Sequence, residues 1–278
     1  MIEWLISEIE AGLLPLPLLH QRLPQAPESY LRQLLRSGRI RLGGAPLDPS
    51  LPLAAGTRLR LPASRRLKEL ALPSPTILFE NDELLAVDKP AGLAVHRGVG
   101  HEDDNLLKRV EILLARRGVP YKVAPAHRLD AETSGPVLFG KGRKACARLG
   151  HLFMSDQVEK TYLALVAGRL PDAGLFEGAV PVRGRAKQAA TAYRLLDYRQ
   201  NASMLELKLR TGRTHQIRRH LAAAGHPLVG DRRYRGPNLE AGNRMFLHCF
   251  EITLPVSPEG EKQRICSPLP PELEQLLK

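Results

Sequence analysis

The spacing of apolar positions changes several times along the chain. In SYLRQLLR at 29–36, Leu31, Leu34 and Leu35 fall at i, i+3 and i+4, with Arg32 and Arg36 on another face. That spacing predicts a helix, which Gly38 ends just past its last turn. RIRL at 39–42 then alternates polar and apolar, Gly43-Gly44 supplies a tight turn, and TRLRL at 57–61 alternates again. A small helix-plus-hairpin module is expected. Further on, the apolar run at 77–79, the polar turn at 80–83 and the apolar run at 84–87 read as a second hairpin leading into KPAG at 89–92. Strand-like runs follow at 136–139, 161–166 and 204–209, with helical spacing at 106–117 and 144–153. Strands outnumber helices without regular alternation, so the expected fold is α+β with a mixed, largely antiparallel sheet.

The proline-rich, basic stretch at 61–75 reads as a linker, dividing the chain into a small domain at 1–70 and a larger one at 71–278. Composition adds a constraint on partners. Of 278 residues, 41 are Lys or Arg and 29 Asp or Glu, a formal net charge of +12. The 43% hydrophobic and 25% charged shares exclude collagen-like, coiled-coil and wholly disordered classes. Between residues 12 and 68 the basic side chains are Arg22, Arg32, Arg36, Arg39, Arg41, Arg58, Arg60, Arg65, Arg66 and Lys68, against only Glu28 and Asp48. A polyanionic partner is expected. No apolar run is long enough to span a membrane, and the first residues lack the basic head of a signal peptide, so a cytoplasmic location is expected. The three cysteines, Cys146, Cys249 and Cys266, form no CxxC pair and are expected to be buried thiols.

Two polar clusters could carry chemistry. In AHRLDAETSG at 126–135, Asp130 follows two potential cations, His127 and Arg128, and precedes an apolar strand. Such a carboxylate is suited to stay ionised beside a polyanion, although a turn capped by Asp130 and Thr133 fits the same spacing. In RTGRTHQIRRHL at 210–221, Thr214 is placed to cap a helix with Ile217 and Leu221 on one face. His215 and His220 stand about 140° apart round that helix, which does not suit a shared metal. Tyr162, within TYLALV, reads by itself as a sheet-face aromatic.

Taken in order, HRLDAETSG, KTYLALV and TGRTHQIRRHLAAAGHPLVGD resemble the three signature segments of the RNA pseudouridine synthases of the RluA family, and NDELLAVDKPAGLAVH resembles that family's opening hairpin. Residues 14–62 resemble the small RNA-binding domain named after the fourth protein of the ribosomal small subunit. The resemblance implies Asp130 as catalytic aspartate, Tyr162 as active-site tyrosine and Arg218 as the arginine paired with the aspartate. It implies that Arg128 fills the space of a flipped-out base, with His127 beside it, and that Leu247 packs against uracil. Arg32, Arg36 and Arg39 are expected to bind RNA, and Tyr162 to stack on the base or take its carbon 5 proton. Pro136 and Arg235 depart from the family pattern in ways that affect loop shape. The expected reaction converts uridine to pseudouridine, with no metal or cofactor, in large-subunit ribosomal RNA first and transfer RNA second, by a monomer. A non-catalytic ribosome-assembly factor is the alternative; a zinc nucleobase deaminase would need an HxE and a later PCxxC, neither of which is present.

Overall fold

The computed structural model describes residues 1–24, 26–119, 122–182, 185–209, 212–238, 244–256 and 260–277. Two compact units divide between Pro73 and Ser74. In the first, the strands β1 (Ile2–Leu5), β2 (Arg41–Leu42), β3 (Ala45–Pro46) and β4 (Arg58–Leu61) form an antiparallel sheet in the order β1-β4-β2-β3. It is accompanied by α1 (Pro15–Arg22), α2 (Glu28–Arg36) and α3 (Arg65–Leu70). Helix α2 buries Leu31 and Leu34 while Arg32 and Arg36 stay exposed, and Gly38, at φ 64°, turns the chain out of it.

Helix α3 corrects the linker reading of 61–75. Ser64 caps it by accepting a hydrogen bond from the Leu67 amide at 3.2 Å, and Leu67 and Leu70 enter the first unit's core. The prolines flank the helix rather than interrupt it, so a segment of linker-like composition still buries an i, i+3 pair.

The second unit holds two antiparallel sheets. One has four strands in the order β5-β6-β8-β7, formed by β5 (Thr76–Glu80), β6 (Leu84–Lys89), β7 (Val123–Pro125) and β8 (Gly135–Lys141). The other has six, in the order β10-β11-β12-β9-β13-β14: β9 (Glu159–Ala167), β10 (Ala173–Val182), β11 (Arg185–Arg199), β12 (Ala202–Leu209), β13 (Leu247–Pro255) and β14 (Lys262–Cys266). Helices α4 (Leu106–Arg116) and α5 (Gly142–Met154) lie with the smaller sheet, α6 (Gln216–Ala223) against β10 and β11, and α7 (Pro271–Glu274) near the C-terminus. The α+β class with largely antiparallel sheets is observed.

One core joins the two sheets, running from Leu85, Val87, Val137 and Phe139 to Ala164, Leu205, Leu207 and Ile252. Burying each large apolar side chain there stabilises the fold by roughly 1.5–3 kcal/mol. The sheets meet where Ser134 bridges His248. A Cβ on Gly135, whose φ is 124°, would stand 2.1 Å from the Cys249 carbonyl oxygen, so only glycine permits this approach. Pro136 follows it without cost to the ladder: it pairs with Asp88 of β6, and β7 begins its pairing only at Phe139.

The expectation of three buried thiols holds only for Cys249; Cys146 is half-buried and Cys266 exposed. Cys266 ends the edge strand β14, along which side chains alternate between the two faces, so it faces solvent while its neighbour Ile265 points inward.

Candidate active site

Asp130 lies in the turn that feeds β8. The Thr133 amide donates to the Asp130 carbonyl at 3.1 Å, while the neighbouring Ala131 carbonyl accepts from the Gly92 amide at 2.9 Å and from Lys89 Nζ at 2.8 Å. Lys89 is fully buried, and its Nζ also donates to the carbonyls of Pro90 and Leu93 at 2.8 and 2.7 Å. Burial brings its pKa down to about 7. A neutral amine has two N–H bonds, so all three carbonyls are served together only by the ammonium. The turn carrying Asp130 is thereby tied to the end of β6.

Arg218 approaches Asp130 from α6, with NH1 3.4 Å from Oδ2. Its firmer partner is Asp231, which is 1% exposed and receives Nε at 2.7 Å and NH2 at 2.8 Å. Burial opposes the charge of Arg218, and the hydrogen bonds and charge of Asp231, with those of Asp130, outweigh it and raise its pKa further. Asp231 also accepts from the Tyr234 amide at 3.2 Å. A two-bond grip on one side of the guanidinium leaves NH1 directed at Asp130. Arg235 takes up the left-handed conformation, φ 60°, at the end of this turn.

Thr214 does not cap α6. His215 occupies the N-cap in a left-handed conformation, φ 54° and ψ 27°, and makes no side-chain cap. The chain entering the helix is held instead by a reciprocal pair: Gln216 Oε1 accepts from the Arg213 amide at 3.1 Å, and the Gln216 amide donates to the Arg213 carbonyl at 3.1 Å. His215 places Nε2 3.7 Å from Asp130 Oδ2, and its Nδ1 lies 3.1 Å from the Tyr234 hydroxyl. Burial, reinforced by Arg218, Arg233 and Arg219, lowers its pKa despite Asp130.

Tyr162 stands on β9 opposite Leu207 on one side and Cys249 on the other. Burial pushes its phenol well above the usual range and the Cys249 thiol up to about 12. Both are therefore neutral, and a ring surface is what Tyr162 offers; a phenolate that would take a carbon 5 proton is disfavoured. Leu247, 3% exposed, begins β13 beside it.

His127 is no cation for Asp130. Its ring stacks on Phe153 at 4.6 Å, Nε2 accepts from the Leu138 amide at 3.2 Å, and burial, aided by Lys160, drives its pKa down to about 3. The second positive charge near Asp130 comes instead from Arg218, 88 residues away in sequence.

Asp130, Tyr162, Arg218, Leu247, His127 and Arg128 all line one cavity of about 490 Å³. A second, of about 510 Å³, shares Arg128, Asp130 and Arg218 and adds Arg97, His101 and Arg233. Asp130 thus sits where two cavities adjoin, and the exposed Arg128 lines both. Such a site can hold a planar uncharged ring against Tyr162 and Leu247, present the Asp130 carboxyl group to it, and surround its charged attachments with arginine. Arg210 of the second polar cluster and Thr211, which opens the third segment, lie outside the described residues. Arg32, Arg36 and Arg39 are in the other unit, exposed; Arg32 pairs with Glu28 across one helical turn at 2.6 Å. Asp231, which grips Arg218 beside the candidate site, is a side chain that sequence reasoning missed. It stood at the end of the quoted GHPLVGD, but nothing in the spacing pairs it with an arginine 13 residues earlier.

Residues 83–223 match the family described as RNA pseudouridylate synthase. The chain is 32% identical to "Ribosomal large subunit pseudouridine synthase C" of Pasteurella multocida, over 98% of this chain and 91% of that protein, and 32% identical to the protein of that name in Escherichia coli, over 98% and 94%. It is also 32% identical to "Ribosomal large subunit pseudouridine synthase D" of Xylella fastidiosa, over 93% and 86%. Among solved structures, the human protein named RNA pseudouridylate synthase domain containing 4 superposes with a TM-score of 0.63 at 24% identity, over 73% of this chain and 91% of that one, and so shares the fold.

Proposed function

The chain belongs to the RNA pseudouridylate synthase family, and we propose that it isomerises specific uridines of structured RNA, large-subunit ribosomal RNA in the first place, with Asp130 as the essential carboxylate. The observation that carries the assignment of residues is their convergence: Asp130, Tyr162, Arg218 and Leu247, from four separate stretches of sequence, face one cavity. The names of the relatives support ribosomal RNA over transfer RNA, and cytoplasmic action follows from that substrate.

The reaction breaks the bond between uracil N1 and the ribose, rotates the base and joins carbon 5 to the ribose. Carbon 5 loses a proton and N1 gains one, so composition is unchanged and no electrons are exchanged. Asp130 is the ionised group that attacks the ribose, adds to the uracil or removes a ribose proton, and each route needs it charged and close to the base. Arg218, fixed by Asp231, orients it and offsets its charge. Tyr162 and Leu247 hold the ring from the two strands that flank the cavity. The target must leave its stack to reach them, and Arg128 is the exposed side chain suited to fill the gap.

The first unit supplies a basic surface that we assign to RNA binding, with Arg32, Arg36 and Arg39 as contacts; its support is their exposure and the scarcity of acidic neighbours. Mapping pseudouridines by carbodiimide-dependent reverse-transcription stops in a strain lacking the gene tests the substrate. Loss of one or more stops from large-subunit ribosomal RNA is expected; unchanged ribosomal RNA with lost transfer RNA sites would replace this substrate by the other.

A further inference from the structure

Lys160 is a charged residue of the cavity that the reaction steps above leave unused. It lies two residues before Tyr162 on β9, so both side chains leave the same face of the strand, about 7 Å apart along it. Burial lowers its pKa. Its ammonium lies over the Phe153 ring at 5.5 Å from the centroid, and a Cβ on Gly212 would come within 3.3 Å of Nζ. No ion pair is made to it among the described residues; Asp156, the acidic side chain that acts on it, stays beyond ion-pair distance. Arg213 shares this wall, and its Nε is buried with no hydrogen-bond partner among the described residues.

Two partly desolvated cations without an acidic partner, one of them carrying an orphaned buried donor, are costly to fold unless a ligand completes them. The ligand must be anionic, and it must reach this wall while a base occupies the space against Tyr162. We propose that Lys160 and Arg213 receive a backbone phosphate adjoining the uridine whose base enters the cavity. The space continues beyond Lys160: a groove of about 280 Å³ shares Phe153, Asp156, Lys160 and Leu209 with the cavity and adds a further cation, Lys208. The acidic Glu159 in that groove is paired with Lys262 at 2.7 Å, which reduces its repulsion of a phosphate. The contact rests on the reading of the chain as an RNA uridine isomerase.

The test couples a protein change to a substrate change. Lys160→Gln and Lys160→Arg are compared with the unaltered protein on an RNA substrate, and on the same RNA carrying one uncharged methylphosphonate at either linkage beside the target uridine. Lys160→Gln should weaken binding about 10-fold or more and flatten the salt dependence by about one phosphate contact, while Lys160→Arg restores most of the affinity. One methylphosphonate should weaken the unaltered protein similarly and cost Lys160→Gln little more, because both remove the same contact. Additive losses, or no effect of either methylphosphonate on the unaltered protein, would overturn the proposal and leave a base-edge contact in its place. The methylphosphonate series decides the matter even if Lys160→Gln folds poorly. Failure of the functional reading is separate: the unaltered protein would then form no pseudouridine on any RNA, whatever the binding data show.

Discussion

At the scale of single residues, Arg218 is a shared cation whose two carboxylates have different tasks. Asp231 fixes the guanidinium by two short hydrogen bonds, and Asp130 meets the remaining nitrogen at the longer 3.4 Å. Asp231→Asn keeps an acceptor but loses the charge and half the grip. It should therefore lower kcat by about 100-fold, the scale of a 1 Å misplacement, with little change in KM. Steady-state kinetics check this; an unchanged kcat would show that Arg218 is held without Asp231. His127 permits a pH prediction. Its folded-state pKa, about 3, lies below the 6.5 of an unfolded histidine, so between these values the unfolded chain binds the extra proton and folding stability falls as pH falls. Between pH 6.5 and 5, unfolding free energies of His127→Gln should decline less steeply than those of the unaltered protein, by up to about 1.4 kcal/mol per pH unit. Parallel slopes would show that His127 does not contribute. Asp130, Tyr162 and Arg218 were legible in the sequence because each sits in a dense ordered segment. Asp231 and Lys160 were not singled out, since a residue acting through a contact made only in three dimensions leaves no spacing to read.

At the scale of elements, β5, β6, β8, β9, β12 and the helices α2, α4 and α5 followed from apolar runs and 3.6-residue spacing, with the boundaries of α2, α4 and β8 within a residue or two of those expected, whereas β10, β11, β13 and β14 were not read from the sequence. The failures have local physical causes. Helix α3 was hidden by flanking prolines, and Thr214 looked like a cap because a hydroxyl before an amphipathic run usually is one. His215 takes that place in the left-handed region, where its ring reaches both Asp130 and Tyr234. A backbone conformation uncommon for a non-glycine residue is thus spent on placing a side chain beside the carboxylate. The KPAG turn shows the same economy: Lys89 joins the end of β6 to the Asp130 turn through three carbonyls. Lys89→Met removes all three bonds and leaves buried acceptors unpaired, so it should destabilise the second unit by about 3 kcal/mol or more. Urea unfolding monitored by circular dichroism measures this, and a loss below 1 kcal/mol, about the value of a surface change, would refute the tie.

At the scale of the whole molecule, two compact units suggest divided labour: one unit holds the cavity, the other the exposed arginines. Arg32→Ala, Arg36→Ala and Arg39→Ala together should raise KM and flatten its salt dependence while kcat changes little, because phosphate contacts contribute affinity rather than chemistry. A chain beginning at Ser74 retains its own core and should fold and act on a short RNA hairpin. A folded but inactive truncation, or a triple variant with unaltered KM and salt slope, would contradict this division. The two-part organisation was legible from the change in texture near residue 70; the two cavities adjoining at Asp130 were not, because segments as far apart in sequence as Ala94 and Arg233, or His127 and Leu247, build them.

The proposed roles of the protein as a uridine isomerase and of Asp130 as its essential carboxylate can be tested together. Forming the new bond at carbon 5 expels the hydrogen that carbon 5 carries. RNA transcribed with uridine tritiated at carbon 5 should therefore release tritium to water, one atom per pseudouridine formed, when incubated with the unaltered protein. Asp130→Asn, which removes a charge and almost no volume, should bind the same RNA with similar affinity and release under about 1% as much in the same time. Substantial release by Asp130→Asn, or none by the unaltered protein on ribosomal or transfer RNA, would contradict the account.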